Sequence, residues 1–455
     1  MQTQTTIRSC IFRPVVSQGL QTRKLVGLKL KNQRAASKAL ITKRREHGLL
    51  CKAQSVASPP LDIPEGQEFS GLQGQALLSA QMDFPSKKEV LGVIPDHCFK
   101  RDTLKSLMYA AVSTAITVGL GVAAAMYIPM KLAWLPAWLA YAYAAGTAAT
   151  GCWVVAHECG HGAFSDNKTI QDTVGYILHT LLLVPYFSWQ RSHAVHHSRT
   201  NHMEEGETHV PVKANLPEGE ATLKFRSALG ESPFAIVNTV AQLLFGWPVY
   251  LLTGASGGPV RGKTNHFNPN AGAKGKHALF PGGWKNKVWW SDVGIVAFMA
   301  GLVYWGVCAG SAWPVLALYG GPYLVCNAWL VMYTLLQHTD VDVPHFGGDE
   351  WDWCKGTFMT IDRPYGPIYD FLHHRIGSTH VAHHLNHQIP HYHALDATNA
   401  VKEAFPQHYL YDPTPIPQAL WRVGRKCVAV EQKGNVWVWK TDSDRGGSVG
   451  APAAA

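Results

Sequence analysis

The chain reads as an all-α integral membrane protein. Four spanning helices, further helices in the membrane plane and a polar helical cap would carry a histidine-rich di-metal site. Three observations predict this. Several stretches are almost free of charge over about twenty residues, the length that crosses the hydrocarbon. Charges crowd into the ends and a few loops, although the apolar fraction is an ordinary 47%. Eight histidines stand in three tight groups beside the apolar stretches: His157-Glu-Cys-Gly-His161, His193-Ala-Val-His196-His197 and His380-Val-Ala-His383-His384.

The formal charge of +9 invites a nucleic-acid reading, which its distribution excludes. Twelve Lys or Arg fall within residues 1–60, and the others sit mostly in loops flanking apolar runs. The nine cysteines are scattered and form no Cys-x-x-Cys pair. Such a set argues against a disulfide framework and fits a reducing compartment.

Residues 1–60 hold one acidic residue, Glu46, against those twelve cations. Arg-rich, hydroxylated and acid-poor, this is the composition of an organelle transit peptide, and it favours a chloroplast membrane. The alternative is a disordered basic tail on anionic lipid, with the endoplasmic reticulum as the location. Residues 61–103 form a polar N-terminal cap segment, in which Phe84-Pro-Ser-Lys-Lys-Glu opens a short helix.

The membrane domain is expected over 104–415. Its first span is 104–129 and its second 132–156, with Trp134 and Trp138 as interfacial anchors. The second delivers the first histidine group at its end. The run 173–187 is too short to cross and is expected in the interface. Three more apolar runs follow, at 234–252, 291–309 and 313–336. If the second and third histidine groups share a site, an even number of crossings separates them. The run 234–252, with Asn238, Gln242, Gly246 and Pro248 inside it, is the one expected not to cross. The basic loop 257–288 then stays on the site's side, as the positive-inside bias requires. Residues 416–455 are expected as a C-terminal tail, low in complexity from 446 to 455.

Neutral imidazole suits iron, zinc, copper and nickel, and a nitrogen-rich set is not built for magnesium or calcium. His157-Glu-x-x-His161 also matches the zinc-protease pattern, with Glu158 as general base. Such a hydrolase needs about three protein ligands. It gives no reason for two further H-x-x-H-H groups, whose histidines at i, i+3 and i+4 share a helix face. Eight or nine nitrogens exceed what one ion uses, so two metals are expected. Isolated histidines such as His97, His266, His277 and His408 carry no metal expectation. His202 and His209 have ligand chemistry but lie off the spacing. Asp166, Glu204, Glu205, Asp340 and Asp342 are candidate acceptors for imidazole N–H groups, each otherwise a solvated surface acid.

These groups, with Leu183-Val-Pro-Tyr-Phe-Ser-Trp189, Leu336-Gln-His-Thr339 and Pro390-His-Tyr-His393, carry a resemblance. Over roughly residues 85–415 the chain resembles the integral-membrane fatty acid desaturases, above all the plant and algal oleate (Δ12, omega-6) enzymes. The resemblance implies two iron ions, dioxygen as co-substrate, external electrons, and a cis double bond placed in a membrane-glycerolipid acyl chain. The implied ligands are His157, His161, His193, His196, His197, His380, His383 and His384, with His338 as a ninth. It implies that His374 orients a metal-binding ring. Thr334 stands where some relatives place an Asn that holds a water on the metal. Gly162, where plant oleate enzymes often read His, also occurs in omega-3 relatives. An omega-3 desaturase or an acyl hydroxylase of the same fold is therefore the alternative. No His-Pro-Gly-Gly signature is present, so no fused cytochrome b5 is expected. The donor would be ferredoxin in a plastid or cytochrome b5 in the endoplasmic reticulum, drawn to the basic loop 257–288.

Overall fold

The computed structural model describes residues 70–440; the basic segment 1–60 and the stretch 446–455 lie outside the described residues. The chain enters through α1 (Gln75–Ser79) and α2 (Lys87–Val93). Helix α2 starts where its sequence signal places it. The Ser86 hydroxyl accepts from the Glu89 N–H while the Glu89 carboxylate accepts from the Ser86 N–H, a reciprocal cap.

Helices α3 (Thr103–Tyr127) and α4 (Leu135–His161) are the first two spans. Asp102 caps α3 by accepting from the Lys105 N–H, and Pro136 opens α4. In the connection, Trp138 donates its indole N–H to the Pro129 carbonyl and Trp134 stays exposed, as amphipathic rings do at a bilayer boundary. Helix α4 is buried along most of its length. Its small residues, including Ala145, Ala148 and Ala149, let α3 and the last span close on it.

Helices α5 (Lys168–Leu181) and α6 (Tyr186–Ser198) follow. Here the structure divides the run 173–187, which the sequence presents as one in-plane segment. Leu183 takes a φ of 54°, and Pro185 has no N–H to continue a helix, so the run ends α5 and opens α6. Next come α7 (Pro217–Leu229), α8 (Glu231–Thr253), α9 (Trp284–Cys308) and α10 (Trp313–His338).

Among the described residues five helices are long and apolar enough to cross a membrane: α3, α4, α8, α9 and α10. Four of them span. The second and third histidine groups meet in one site, so the crossings between them are even in number, and α9 and α10 supply two. The packing of α8 agrees with this. Near its start, Ala235 and Thr239 lie against Gly424 in the cap. Near its end, the Tyr250 hydroxyl donates to Glu207 beside the site. Midway, Gly246 faces Val331, close to the site end of α10. Both ends of α8 thus lie at the level of the cap, whereas a crossing helix carries its ends to opposite faces.

The cap contains helices α11 (Trp353–Phe358), α12 (Pro367–Leu372), α13 (His380–Leu385), α14 (His391–Ala404) and α15 (Ile416–Lys426). It also holds strands β1 (His345–Phe346), β2 (Ile361–Asp362), β3 (Leu410–Tyr411), β4 (Val430–Lys433) and β5 (Val436–Trp439). β5 pairs antiparallel with β1 and β4, and β2 pairs in parallel with β3. These short sheets are the departure from an all-helical cap. Val436-Trp-Val-Trp439 supplies β-branched and aromatic residues that suit a half-buried pleat. Residues 416–440, set apart in the sequence as tail, are folded onto the cap through α15, β4 and β5. Phe358, Val381, Leu385 and Val401 fill its core with Val90 of α2.

Candidate metal centre

The end of α4 presents the first histidine group. His157 and His161 sit one turn apart on its last turns, and the chain leaves at once because Gly162 takes a φ of 81°, a left-handed cap that glycine adopts without strain. Helix α6 lies against that end. A Cβ on Gly160 would come within 2.5 Å of the Trp189 ring, so a glycine is required for α6 to approach this closely.

The nine expected histidines converge. Ligand nitrogens of His157, His161, His193, His197 and His383 lie within 4.8 Å of one another, and so, in a second group, do those of His196, His338 and His384. His380 joins the second group, with its Nε2 at 3.0 Å from His338 Nε2. On each helix the i, i+4 pair keeps together and the i+3 ring goes to the other group. Helix α6 sends its i, i+4 pair, His193 and His197, to the first group and His196 to the second. Helix α13 does the reverse, sending His380 and His384 to the second group and His383 to the first. Each H-x-x-H-H thus serves both groups.

The geometry fits two metal ions. Paired Nε2 atoms stand 3.1 Å apart in His157 and His161, 3.3 Å in His193 and His197, and 3.2 Å in His196 and His338. Two nitrogens bound at about 2.1 Å to one ion, at angles of roughly 90–109°, lie about 3.0–3.4 Å apart. Buried nitrogens also point into the site without a hydrogen-bond partner, among them His383 Nε2 and His384 Nε2. Burial, reinforced by the neighbouring imidazoles, holds His193, His197, His380, His383 and His384 well below the ordinary imidazole value. Burial pushes His196 down to about 4. All six rings are therefore in the neutral, ligating form at pH 7.

Backbone and hydroxyl groups behind the rings set their tautomers. His196 Nδ1 donates to the Glu207 carbonyl at 2.8 Å. The Thr200 hydroxyl donates to the His196 carbonyl and accepts from His384 Nδ1 at 3.0 Å. Both arrangements turn the Nε2 lone pair inward. The Asp362 carboxylate accepts from the Val381 N–H at 2.9 Å and so caps α13. Glu158 lies behind His157, 3.8 Å from its Nδ1, and accepts from the His391 backbone N–H at 2.9 Å. It is buried there and faces away from the converging Nε2 atoms, which removes it from the position a protease base would need.

The expected acids behave differently. Asp166, Glu204 and Glu205 pair with Arg101, Lys213 and Arg199. Asp340 and Asp342 are not solvated: both are fully buried. Asp342 accepts from Ser70 and the Gly74 N–H, and Asp340 belongs to a closed cluster with Arg363, Asp412 and Arg422. Arg363 also donates Nε to the Leu336 carbonyl at 2.8 Å, two residues before His338. His374 bonds to Ser113 at 2.9 Å and packs on His391, so it reaches His157 only through His391 and Glu158. Thr334 turns its hydroxyl back onto the Leu330 carbonyl at 3.0 Å.

Two histidines at the site were not expected there. His387 packs on His161 and His197, with ring centroids 4.7 Å and 5.1 Å away. Its spacing extends the third group to H-x-x-H-H-x-x-H, the one linear trace it leaves. His209 stacks parallel to His338 at 5.8 Å, on a backbone with φ 53°. It reaches the site on a loop, which no periodicity reveals.

An apolar cavity of about 510 Å³ adjoins both groups. His193, His196, Trp153, Trp189, Trp247 and Thr334 are among its lining residues. Phe245 of α8, also in the lining, is 60% exposed.

The sequence is similar to those of known proteins. The sequence model of the family described as fatty acid desaturase matches residues 132–414. A Δ12 acyl-lipid desaturase of Punica granatum is 39% identical over 83% of this chain and 96% of its own length. A Δ12 fatty-acid desaturase of Arabidopsis thaliana is 40% identical over 76% of this chain and 88% of its own. An oleoyl-12-hydroxylase of Ricinus communis is 39% identical over 74% and 84%. An apolar, membrane-embedded chain whose histidine boxes fold into two adjoining nitrogen-rich groups thus belongs to the fatty acid desaturase family.

Proposed function

We propose that this protein is an acyl-lipid Δ12 desaturase that converts oleoyl to linoleoyl chains in membrane glycerolipids. The observation that carries the reading is the apolar cavity lined by one histidine from each metal group, His193 and His196. His157, His161, His193, His197 and His383 would hold one iron, and His196, His338, His380 and His384 the other. Bound there, the two irons would supply the oxidising power, drawn from dioxygen and two external electrons, that an unactivated methylene pair requires. The acyl chain gives up two hydrogen atoms, that is two protons and two electrons; with the two external electrons and two protons from water these reduce dioxygen to two waters.

The residues of the chain supply position and exclusion. The tryptophan walls desolvate the acyl chain and hold one carbon pair beside His193 and His196. The bonds to Glu207 and Thr200 fix the His196 and His384 rings with Nε2 turned to where the metals would be held. The Δ12 position is supported by the printed activities of the Punica and Arabidopsis relatives. The second reading, acyl hydroxylation, is favoured by the Ricinus enzyme at equal identity.

We place the protein in a plastid membrane, with ferredoxin as donor, on the composition of residues 1–60. The Punica relative is matched over nearly all its length by 83% of this chain, so the chain carries sequence that the relative lacks. Relatives from Glycine max and Brassica juncea carry endoplasmic reticulum in their names, which favours cytochrome b5 as the second reading. In the basic loop, Arg261 is buried against Glu207, which leaves Lys263, Lys274, Lys276 and Lys285 as the exposed cations for an acidic donor.

Expression in a host without polyunsaturated lipids, followed by fatty-acid profiling, tests the function. Linoleate supports it; a triene made from supplied diene, or a hydroxy acid, selects the alternatives. A fluorescent fusion of residues 1–60 tests the location.

A further inference from the structure

We propose that His97, His393 and Asp396 form a third metal site, separate from the histidine boxes, which takes a divalent ion of the zinc class on the outer face of the cap. The ligand atoms of the three residues lie within 4.8 Å of one another. His97 Nε2 stands 2.9 Å from an Asp396 carboxylate oxygen. The His97 and His393 rings meet edge to face, 5.3 Å apart at 79°, and His97 Nε2 also lies 3.6 Å from the Cys98 sulfur. Two imidazoles and a carboxylate are a donor set that zinc accepts, with water completing the tetrahedron.

The scaffold holds this set in place. His97 lies in a single turn (Asp96–Phe99) and the other two on α14. The next residue after each of His97 and Asp396, Cys98 and Ala397, is fully buried in the same apolar cluster as Val90 and Val401. The Asp102 N–H donates to the Tyr392 hydroxyl at 2.8 Å across the same junction. The side chains of His97 and Asp396 are 51% and 57% exposed, so an ion reaches them from water. Lys105 lies 4.2 Å over the Tyr392 ring at this junction.

The ion would join residues 299 apart in the chain and clip the segment before the first span to the helix after the third histidine box. A link that closes so long a loop constrains the unfolded chain strongly. Without an ion, an exposed His–Asp contact contributes little.

The test uses the full chain purified in detergent, equilibrated with zinc alone and desalted, with every metal counted per chain. The native protein should keep about one zinc more than His97→Ala, His393→Ala or Asp396→Asn, with the metal of the histidine boxes unchanged in all four. Zinc should raise the melting temperature of the native chain and leave that of Asp396→Asn unmoved. Equal zinc in native and variant proteins overturns the proposal, as does zinc uptake matched by loss of another metal. The measurement is a difference between native and variant, so it holds whichever metal fills the boxes.

Discussion

Replacing Arg363 by Met tests how the cap holds the second metal group. Arg363, Asp340 and Asp412 are fully buried, and Arg422 nearly so. Two guanidinium groups face two carboxylates: Arg363 to Asp340 at 2.6 Å and also to Asp412, Arg422 to Asp340 at 2.7 Å and to Asp412 at 2.8 Å. The cluster is formally neutral and screened from solvent. Removing Arg363 leaves two buried carboxylates on one guanidinium and frees the Leu336 carbonyl. Losing one member of a buried ion pair costs about 3–5 kcal/mol. That is roughly a hundred-fold to several-thousand-fold in the folded-to-unfolded ratio. The strain falls next to His338, so metal should be lost from the second group before the first. The double variant Arg363→Met/Asp412→Asn restores neutrality and should recover at least about 1 kcal/mol, because members of one network are not additive. The assay is thermal unfolding in detergent with metal analysis of each sample. A single variant as stable as the native chain, or a double variant whose losses simply add, would refute the reasoning.

Other outcomes follow from the same geometry. His161→Ala and His384→Ala each remove a ring from one group only, so each should lower the metal content by about one ion per chain and reduce desaturation at least a hundred-fold; loss of both ions from either would contradict separate groups. Thr200→Val removes the acceptor of His384 Nδ1 and should cost about 10–100-fold in metal affinity or activity, as loss of such supporting bonds does. Gly160→Val would drive a side chain into the Trp189 ring, costing about 1–3 kcal/mol in overpacking and displacing α6; an unchanged melting temperature would show that the two helices are not in register as described. Gly246→Phe fills the cavity beside Val331, so turnover on oleoyl lipid should fall while the metal count stays native, read by fatty-acid profiling beside metal analysis.

Much of this molecule was legible along the chain because its strongest signals are local. Charge-free runs near twenty residues marked all five helices that are long and apolar enough to cross, α8 included. The i, i+3, i+4 spacing of H-x-x-H-H is a property of the helix, so those rings were bound to share a face before any partner was known. Parity required one of the three later runs to stay on one side, and Asn238, Gln242, Gly246 and Pro248 pointed to the run that forms α8. The cap was harder to read because its order depends on partners far away in the chain. Asp340 looks like a surface acid until Arg363 and Arg422 close around it, and His209 reaches the site on a loop with no period.

The division of the histidines between two metals shows the same boundary. Spacing along α6 and α13 puts three imidazoles on each helix face, a matter of 3.6 residues per turn. Which ring goes to which ion depends on how those helices cross and on where α4 and α10 end. That crossing is set by packing, such as the Trp189 ring against a residue with no Cβ, and packing is written in no single segment.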